Sequence, residues 1–123
     1  MLVGAARRAT LPWGERLRTR GEIERLFRRG VRVERASFLL LCLAAPGRRA
    51  AAFAASRRLG GSVSRNRARR RLREAYRRRK DLVPARGLRL CFVARPPALR
   101  VSFDELSGEV AHALRQAARQ LAS

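Results

Sequence analysis

Residues 50–80 read A-A-A-F-A-A-S-R-R-L-G-G-S-V-S-R-N-R-A-R-R-R-L-R-E-A-Y-R-R-R-K: an apolar run, a glycine pair, and a segment dense in arginine. After Gly60-Gly61, either Ser62 or Ser64 can cap a helix that runs to about Lys80. Ala68, Leu72, Ala75 and Tyr76 then fall on one face at i, i+4, i+7 and i+8, and the other faces are nearly all arginine. The run at 50–56 is ambiguous, because alanine favours helix. Seven residues before Arg57 and Arg58 are too few for a stable helix, so it reads as a strand.

Upstream, S-F-L-L-L-C-L-A-A at 37–45 is a second compact apolar run. Pro46, Gly47, Arg48 and Arg49 separate it from 50–56, which predicts two antiparallel strands joined by a turn. A short strand around Val31 and Val33 can precede them. Earlier still, Thr19 and Glu22 have capping-box spacing, Ile23, Leu26 and Phe27 follow at helical intervals, and Gly30 can close a first short helix. Downstream, Leu88, Leu90 and Phe92 alternate with Arg89, Cys91 and Val93 as a further strand, stopped by Arg95-Pro96-Pro97. Ser102 and Glu105 form another capping box, and Phe103, Leu106, Val110, Leu114, Ala117 and Leu121 give the last helix its core face. The prediction is α+β: a mostly antiparallel sheet of about four strands packed with three helices. Residues 1–10 read as a flexible lead-in and 11–123 as one domain, since 123 residues leave room for a single modest core.

Thirty basic residues against nine acidic ones give a formal charge of +21, which opposes compaction unless a polyanion neutralises it. An apolar fraction of 46% in structured patterns argues against a disordered basic tail. All the basic residues except Lys80 are arginine, a preference that genomic codon bias explains as readily as a site does. Cys42 and Cys91 lie far apart in apolar runs, so buried reduced thiols are expected rather than a metal site or disulfide. No stretch approaches the roughly 20 apolar residues a membrane span needs, and no secretory h-region is present, so a cytoplasmic protein is expected.

From Arg35 through Arg73 there are eleven arginines and no acid. Arg65, Arg69 and Arg73 form one line at i, i+4 and i+8, while Arg67, Arg70 and Arg71 extend the basic surface around the helix. Like charges at that spacing each cost a few tenths of a kcal/mol, a cost that phosphates placed between them would offset. The near-uniform sign distinguishes this run from an ordinary solvated face and marks a nucleic-acid surface. Asn66, between two arginines, serves either as a local cap or as a polar RNA contact. The only histidine, His112, sits off the apolar stripe of the last helix with no acid cluster beside it. No catalytic residue and no metal ligand is therefore expected in the protein.

The segment A-S-R-R-L-G-G-S-V-S-R-N-R-A-R-R-R-L-R-E-A-Y at 55–76 resembles the signature of bacterial ribonuclease P proteins, which carry S-K-K, then Gly, then R-N-R and a basic tail containing R-E. L-P-x-x-x-R-L at 11–17, the Phe27–Gly30 helix end, Phe38 and A-R-P at 94–96 fall in the family's order, so the resemblance covers about 11–115. It implies an α/β fold with a left-handed βαβ crossover, a hand that general rules disfavour. It further implies a subunit that helps a catalytic RNA remove the 5′ leader from precursor tRNA. The basic helix, with Arg65, Asn66, Arg67, Arg69, Arg70 and Arg73, would lie on that RNA. A cleft between the first helix and the sheet would hold the leader, with Arg16, Phe27, Phe38, Arg57, Arg58 and Arg95 on its sides. Ile23 and Leu41 depart from the pattern, standing where the family often has aromatics. For Phe27 and Phe38, stacking on bases and packing in the core both remain open. Hydrolysis would belong to the RNA and its Mg²⁺, with no tightly bound protein cofactor, no membrane and no obligate protein partner. Two rivals share the charge: a small structural ribosomal or other non-catalytic RNA-binding protein, and a protein using the basic helix on DNA or an anionic membrane.

Overall fold

In the computed structural model, which describes residues 20–122, the chain runs α1 (Arg20–Arg29), β1 (Val31–Glu34), β2 (Phe38–Arg48), β3 (Ala50–Ala55), α2 (Ser62–Arg79), β4 (Arg86–Ala94) and α3 (Phe103–Ala122). Short 3₁₀ turns at Arg57–Leu59, Lys80–Leu82 and Pro96–Leu99 link the later elements. The lead-in, the L-P-x-x-x-R-L segment, Arg16 and Thr19 lie outside the described residues.

The four strands form one mixed sheet in the order β1-β2-β4-β3. β1 pairs with β2 and β2 with β4, both antiparallel, whereas β3 pairs with β4 in parallel. The two apolar runs at 37–45 and 50–56 therefore run in opposite directions but do not form the predicted hairpin, because β4 lies between them. β2 does not end at Pro46 but continues to Arg48 through a register irregularity, where Gly47 takes φ 97°, a left-handed conformation that suits glycine. Arg49 then anchors the corner. It is 5% exposed, its backbone N–H donates to the Ala85 carbonyl, and its Nη1 donates to the Lys80 and Val83 carbonyls at 3.0 and 3.2 Å. Those bonds fasten the approach to β4 at the place where a hairpin partner would sit.

The period-two alternation of β2 and β4 divides the interior into two layers. Phe38, Leu40, Cys42, Leu88, Leu90 and Phe92 face α2 and α3, and meet Ala68, Leu72, Ala75, Tyr76, Leu106, Val110, Leu114 and Ala117. Leu39, Leu41 and Cys91 face the other way and pack with Leu26 of α1 and Ala50. Phe92 is the hub of the larger layer: Phe38 meets it edge-on at 5.4 Å and Phe53 stacks on it at 5.5 Å between centroids. Both cysteines are free and buried, on opposite faces of the sheet, and burial pushes the Cys42 thiol up to about 12 and Cys91 up to about 11.

The helix boundaries follow local chemistry. Gly30 N–H donates to the Leu26 carbonyl and ends α1, and a Cβ at Gly30 would lie 2.6 Å from that oxygen. Ser102 Oγ accepts from Glu105 N–H at 3.0 Å, so the capping expectation for α3 holds. At α2 neither serine caps the helix; Gly61 is the N-cap and makes no side-chain bond. Instead Arg65 N–H donates to the Gly61 carbonyl, and its Nη1 reaches back to the Gly60 carbonyl at 2.9 Å, so the arginine ties down the turn. No helix among the described residues is long and apolar enough to cross a membrane.

Candidate nucleic-acid interface

α2 lies over the β3 side of the sheet, and its burial pattern sorts its arginines into three rows. Arg65, Arg69 and Arg73 are half-buried and each has a partner within the chain. Arg65 bonds the Gly60 carbonyl, Arg69 donates to Asn66 Oδ1, and Arg73 stacks over the Phe53 ring at 5.5 Å. Arg67 and Arg70 form an outer row, exposed, their guanidinium groups bonded to no described residue. Asn66 is exposed and oriented by Arg69, so its amide stays at the surface.

Arg71 forms the third row, and it turns inward. Its Nη1 donates to the Ala98 carbonyl and its Nη2 to the Val101 carbonyl, both at 2.7 Å. It was expected to extend the basic surface, but the fork is spent inside the molecule. At the helix end the arginines are also bonded within the molecule, although Arg78 and Arg79 are exposed. Arg77 and Arg78 both donate to Glu74, at 2.7 and 3.0 Å to Oε2, and Arg79 Nε donates to Ser107 Oγ at 2.9 Å. The Arg77 hydrogen bond, with that of Arg78 behind it, holds the Glu74 carboxyl below its ordinary range.

α1 covers only part of its face of the sheet. Beside it, at the C-terminal ends of β3 and β4, a groove of about 680 Å³ is left open, with Leu39 and Val93 among its lining. Ala36 and Ser56 contribute from the strand ends, Pro96 and Pro97 from the following turn, and Arg58, Arg95 and Arg100 bring guanidinium groups to it. Arg95 is held in place: its Nη1 donates to the Arg35 carbonyl at 3.0 Å and its Nη2 to Glu34 Oε1 at 2.9 Å. That bond also draws the Glu34 carboxyl below its ordinary range. The guanidinium groups of Arg58 and Arg100 are exposed and bond no described residue, while Ser56 Oγ accepts from the Arg58 backbone N–H to fix the local turn. The groove thus combines an aliphatic floor with one braced and two unbraced cations, which suits an extended polyanion.

Of the residues assigned to a cleft, Arg58 and Arg95 line this groove, and Arg57 is exposed on the same 3₁₀ turn. Phe27 is 46% exposed on α1, outside the groove lining, and is available for stacking. Phe38 is not: it is fully buried on the α2 and α3 face, opposite the groove. Its parity with Leu40 and Cys42 carried that signal. Leu41 is fully buried beneath α1 and Ile23 is half-buried. Arg100 was missed, since no periodic pattern marks a single arginine beyond a proline turn. Among the described residues no group of three His, Cys, Asp or Glu is gathered to hold a metal ion, and His112 is exposed on α3.

The family model described as Ribonuclease P matches residues 11–118 of the chain. A ribonuclease P protein component of Roseiflexus sp. (strain RS-1) is 44% identical over 107 residues, covering 83% of this chain and 84% of the relative. One from Desulfovibrio desulfuricans is 37% identical over 120 residues, covering 94% and 92%. In structure, the chain is similar to the ribonuclease P protein from Thermotoga maritima, with a TM-score of 0.72, 24% identity, and coverage of 83% of this chain and 96% of that one. The Staphylococcus aureus protein gives a TM-score of 0.69 at 22% identity, covering 84% and 94%.

Proposed function

The chain belongs to the ribonuclease P protein family, and from that premise we propose how its surfaces divide the work of tRNA 5′ processing. As a ribonuclease P protein component it is a subunit of a ribonucleoprotein endoribonuclease and associates with the ribonuclease P RNA. The outer row of α2, Arg67 and Arg70 with Asn66, lies against that RNA, supplemented by Arg65, Arg69 and Arg73. The groove takes the single-stranded 5′ leader of precursor tRNA, with phosphates near Arg57, Arg58, Arg95 and Arg100 and Phe27 available to stack on a base. Arg16 belongs to the same proposed set.

One observation carries this reading: the exposed guanidinium groups of Arg67 and Arg70 on α2 and of Arg58 and Arg100 at the groove are cations that no acid among the described residues neutralises. A cation already bonded to a carboxylate must give up that bond to take a phosphate, whereas these need not. The chain's chemistry also suits binding rather than bond cleavage. Both thiols are buried with raised pKa values, and the exposed His112 has no carboxylate bonded to it. Divalent-ion chemistry at the scissile phosphate is assigned to the RNA, and the protein raises affinity for the precursor by offsetting charge repulsion. A cytoplasmic setting completes the proposal.

The test is cleavage of a 5′-extended precursor tRNA by a bacterial ribonuclease P RNA at near-physiological Mg²⁺, with and without the protein. Restored cleavage at the mature 5′ end supports the proposal. Binding to RNA with cleavage unchanged would favour a structural RNA-binding role instead.

A further inference from the structure

Arg71 stands in a run of three arginines, yet it sits three residues after Ala68 and four before Ala75, on the edge of the buried stripe of α2. Its side chain points across to the turn that follows β4. There its guanidinium bridges the carbonyls of Ala98 and Val101, each at 2.7 Å and part-buried. These oxygens lie at the C-terminal end of the Pro96–Leu99 3₁₀ turn, where carbonyl groups lack partners from the turn itself. Two charge-assisted bonds from one planar fork satisfy both and fix their relative position.

That turn is one wall of the groove. Pro96, Pro97 and Arg100 line it, and Arg100 lies between the two residues whose carbonyls Arg71 holds. Its exposed side chain therefore projects from backbone clamped on either side. The same helix that carries Arg67 and Arg70 outward thus reaches inward, through Arg71, to the groove wall.

We propose that Arg71 is a positioning residue, a strut by which the RNA-subunit-binding helix sets the wall of the groove and the place of Arg100. The assignment rests on the reading of that groove as the leader site. Arg71 touches neither RNA nor leader; it acts through the 96–101 segment. A ribonuclease P RNA seated on α2 and a leader in the groove then share one rigid piece of protein. Lysine at this position keeps the charge but cannot span both carbonyls with a fork, so Arg71→Lys separates charge from geometry.

The test reassembles full-length protein with ribonuclease P RNA and compares affinity for precursor tRNAs bearing a long or a very short 5′ leader. With Arg71→Lys, affinity for the RNA subunit and its salt dependence should match the unsubstituted protein. The preference for the long leader should fall by roughly tenfold, equivalent to about 1.4 kcal/mol of binding free energy. In the protein alone, amide hydrogen exchange in 96–101 should quicken. Arg71→Gln, which keeps a single donor nitrogen in place of the fork, is the second variant should the lysine form fail to assemble, and should act in the same direction. An intact leader preference in an assembled variant overturns the proposal, as does unaltered exchange in 96–101. With Arg71→Gln, which removes the charge, weakened RNA-subunit binding with a shallower salt dependence also overturns it, because it would make Arg71 a phosphate contact. Failure of the groove reading looks different: Arg58→Ala and Arg100→Ala would leave the leader preference untouched, and the strut would lose its function with it.

Discussion

Replacing Arg67 and Arg70 together by glutamine removes two exposed cations whose guanidinium groups bond no described residue. If each sits at a phosphate of a helical RNA segment, each contributes about 0.9 to the slope of log affinity against log salt, so the double variant loses about 1.8. Between roughly 50 and 200 mM monovalent salt, a fourfold change, that difference amounts to about 12-fold in affinity. The unsubstituted protein should therefore weaken about 12-fold more than the variant across this range. Stability should move by no more than about 0.5 kcal/mol for each change, since neither side chain holds another element. Filter binding to ribonuclease P RNA as a function of salt, with urea unfolding alongside, measures both quantities. An unchanged slope would refute the assignment of the outer row to phosphate, and a large loss of stability would refute its separation from the structural arginines.

Three further outcomes follow from the interior. Glu74, whose pKa is lowered first by its hydrogen bond from Arg77, stabilises the folded state above its ordinary value of 4.5 and loses that contribution as pH falls through the folded value. Glu74→Gln should therefore flatten the acid limb of a stability–pH profile below that point, with the difference from the unsubstituted protein greatest near neutrality. Cys42 and Cys91, pushed by burial to about 12 and about 11, should resist a thiol reagent at mildly alkaline pH and both react on unfolding. Gly30→Ala would set a methyl group 2.6 Å from the Leu26 carbonyl and 3.3 Å from that of Cys42. It should cost about 1–3 kcal/mol in denaturant unfolding as α1 lifts from β2.

The helices were legible because their signals are local. The stripe Ala68, Leu72, Ala75 and Tyr76 is buried as its spacing requires, and Ser102 caps α3. Strand order was not legible, since the pairing of Leu40 with Phe92 joins distant parts of the chain and no nearby residue reports it. The separation of β2 from β3 depends on Arg49 and the 80–85 backbone, again far apart in sequence. At the site, the basic helix was legible from its charge, but charge alone could not distinguish Arg67 from Arg71. The positions of Ala68 and Ala75 distinguish them once burial is taken into account. The groove was invisible in sequence because three separate segments build it.

The few acids are placed so as to divide the arginines. Glu22 pairs with Arg89, Glu34 with Arg95, Glu74 with Arg77 and Arg78, and Glu109 with Arg35, the last also holding Ser37 through its N–H and Oγ. Along α2 no acid precedes Glu74, so its outer row and the groove's Arg58 and Arg100 are left to repel one another in the free protein. With a net charge of +21, that repulsion should outweigh the stabilisation from a handful of ion pairs, most of them partly exposed. Added salt screens both, but the excess of like charge sets the sign. The free protein should therefore melt at higher temperature as monovalent salt rises, over the same range in which its affinity for RNA falls. Calorimetry across that range measures the first effect. A melting temperature that falls with salt would mean that ion pairs, not unneutralised arginines, dominate the electrostatics of the free chain.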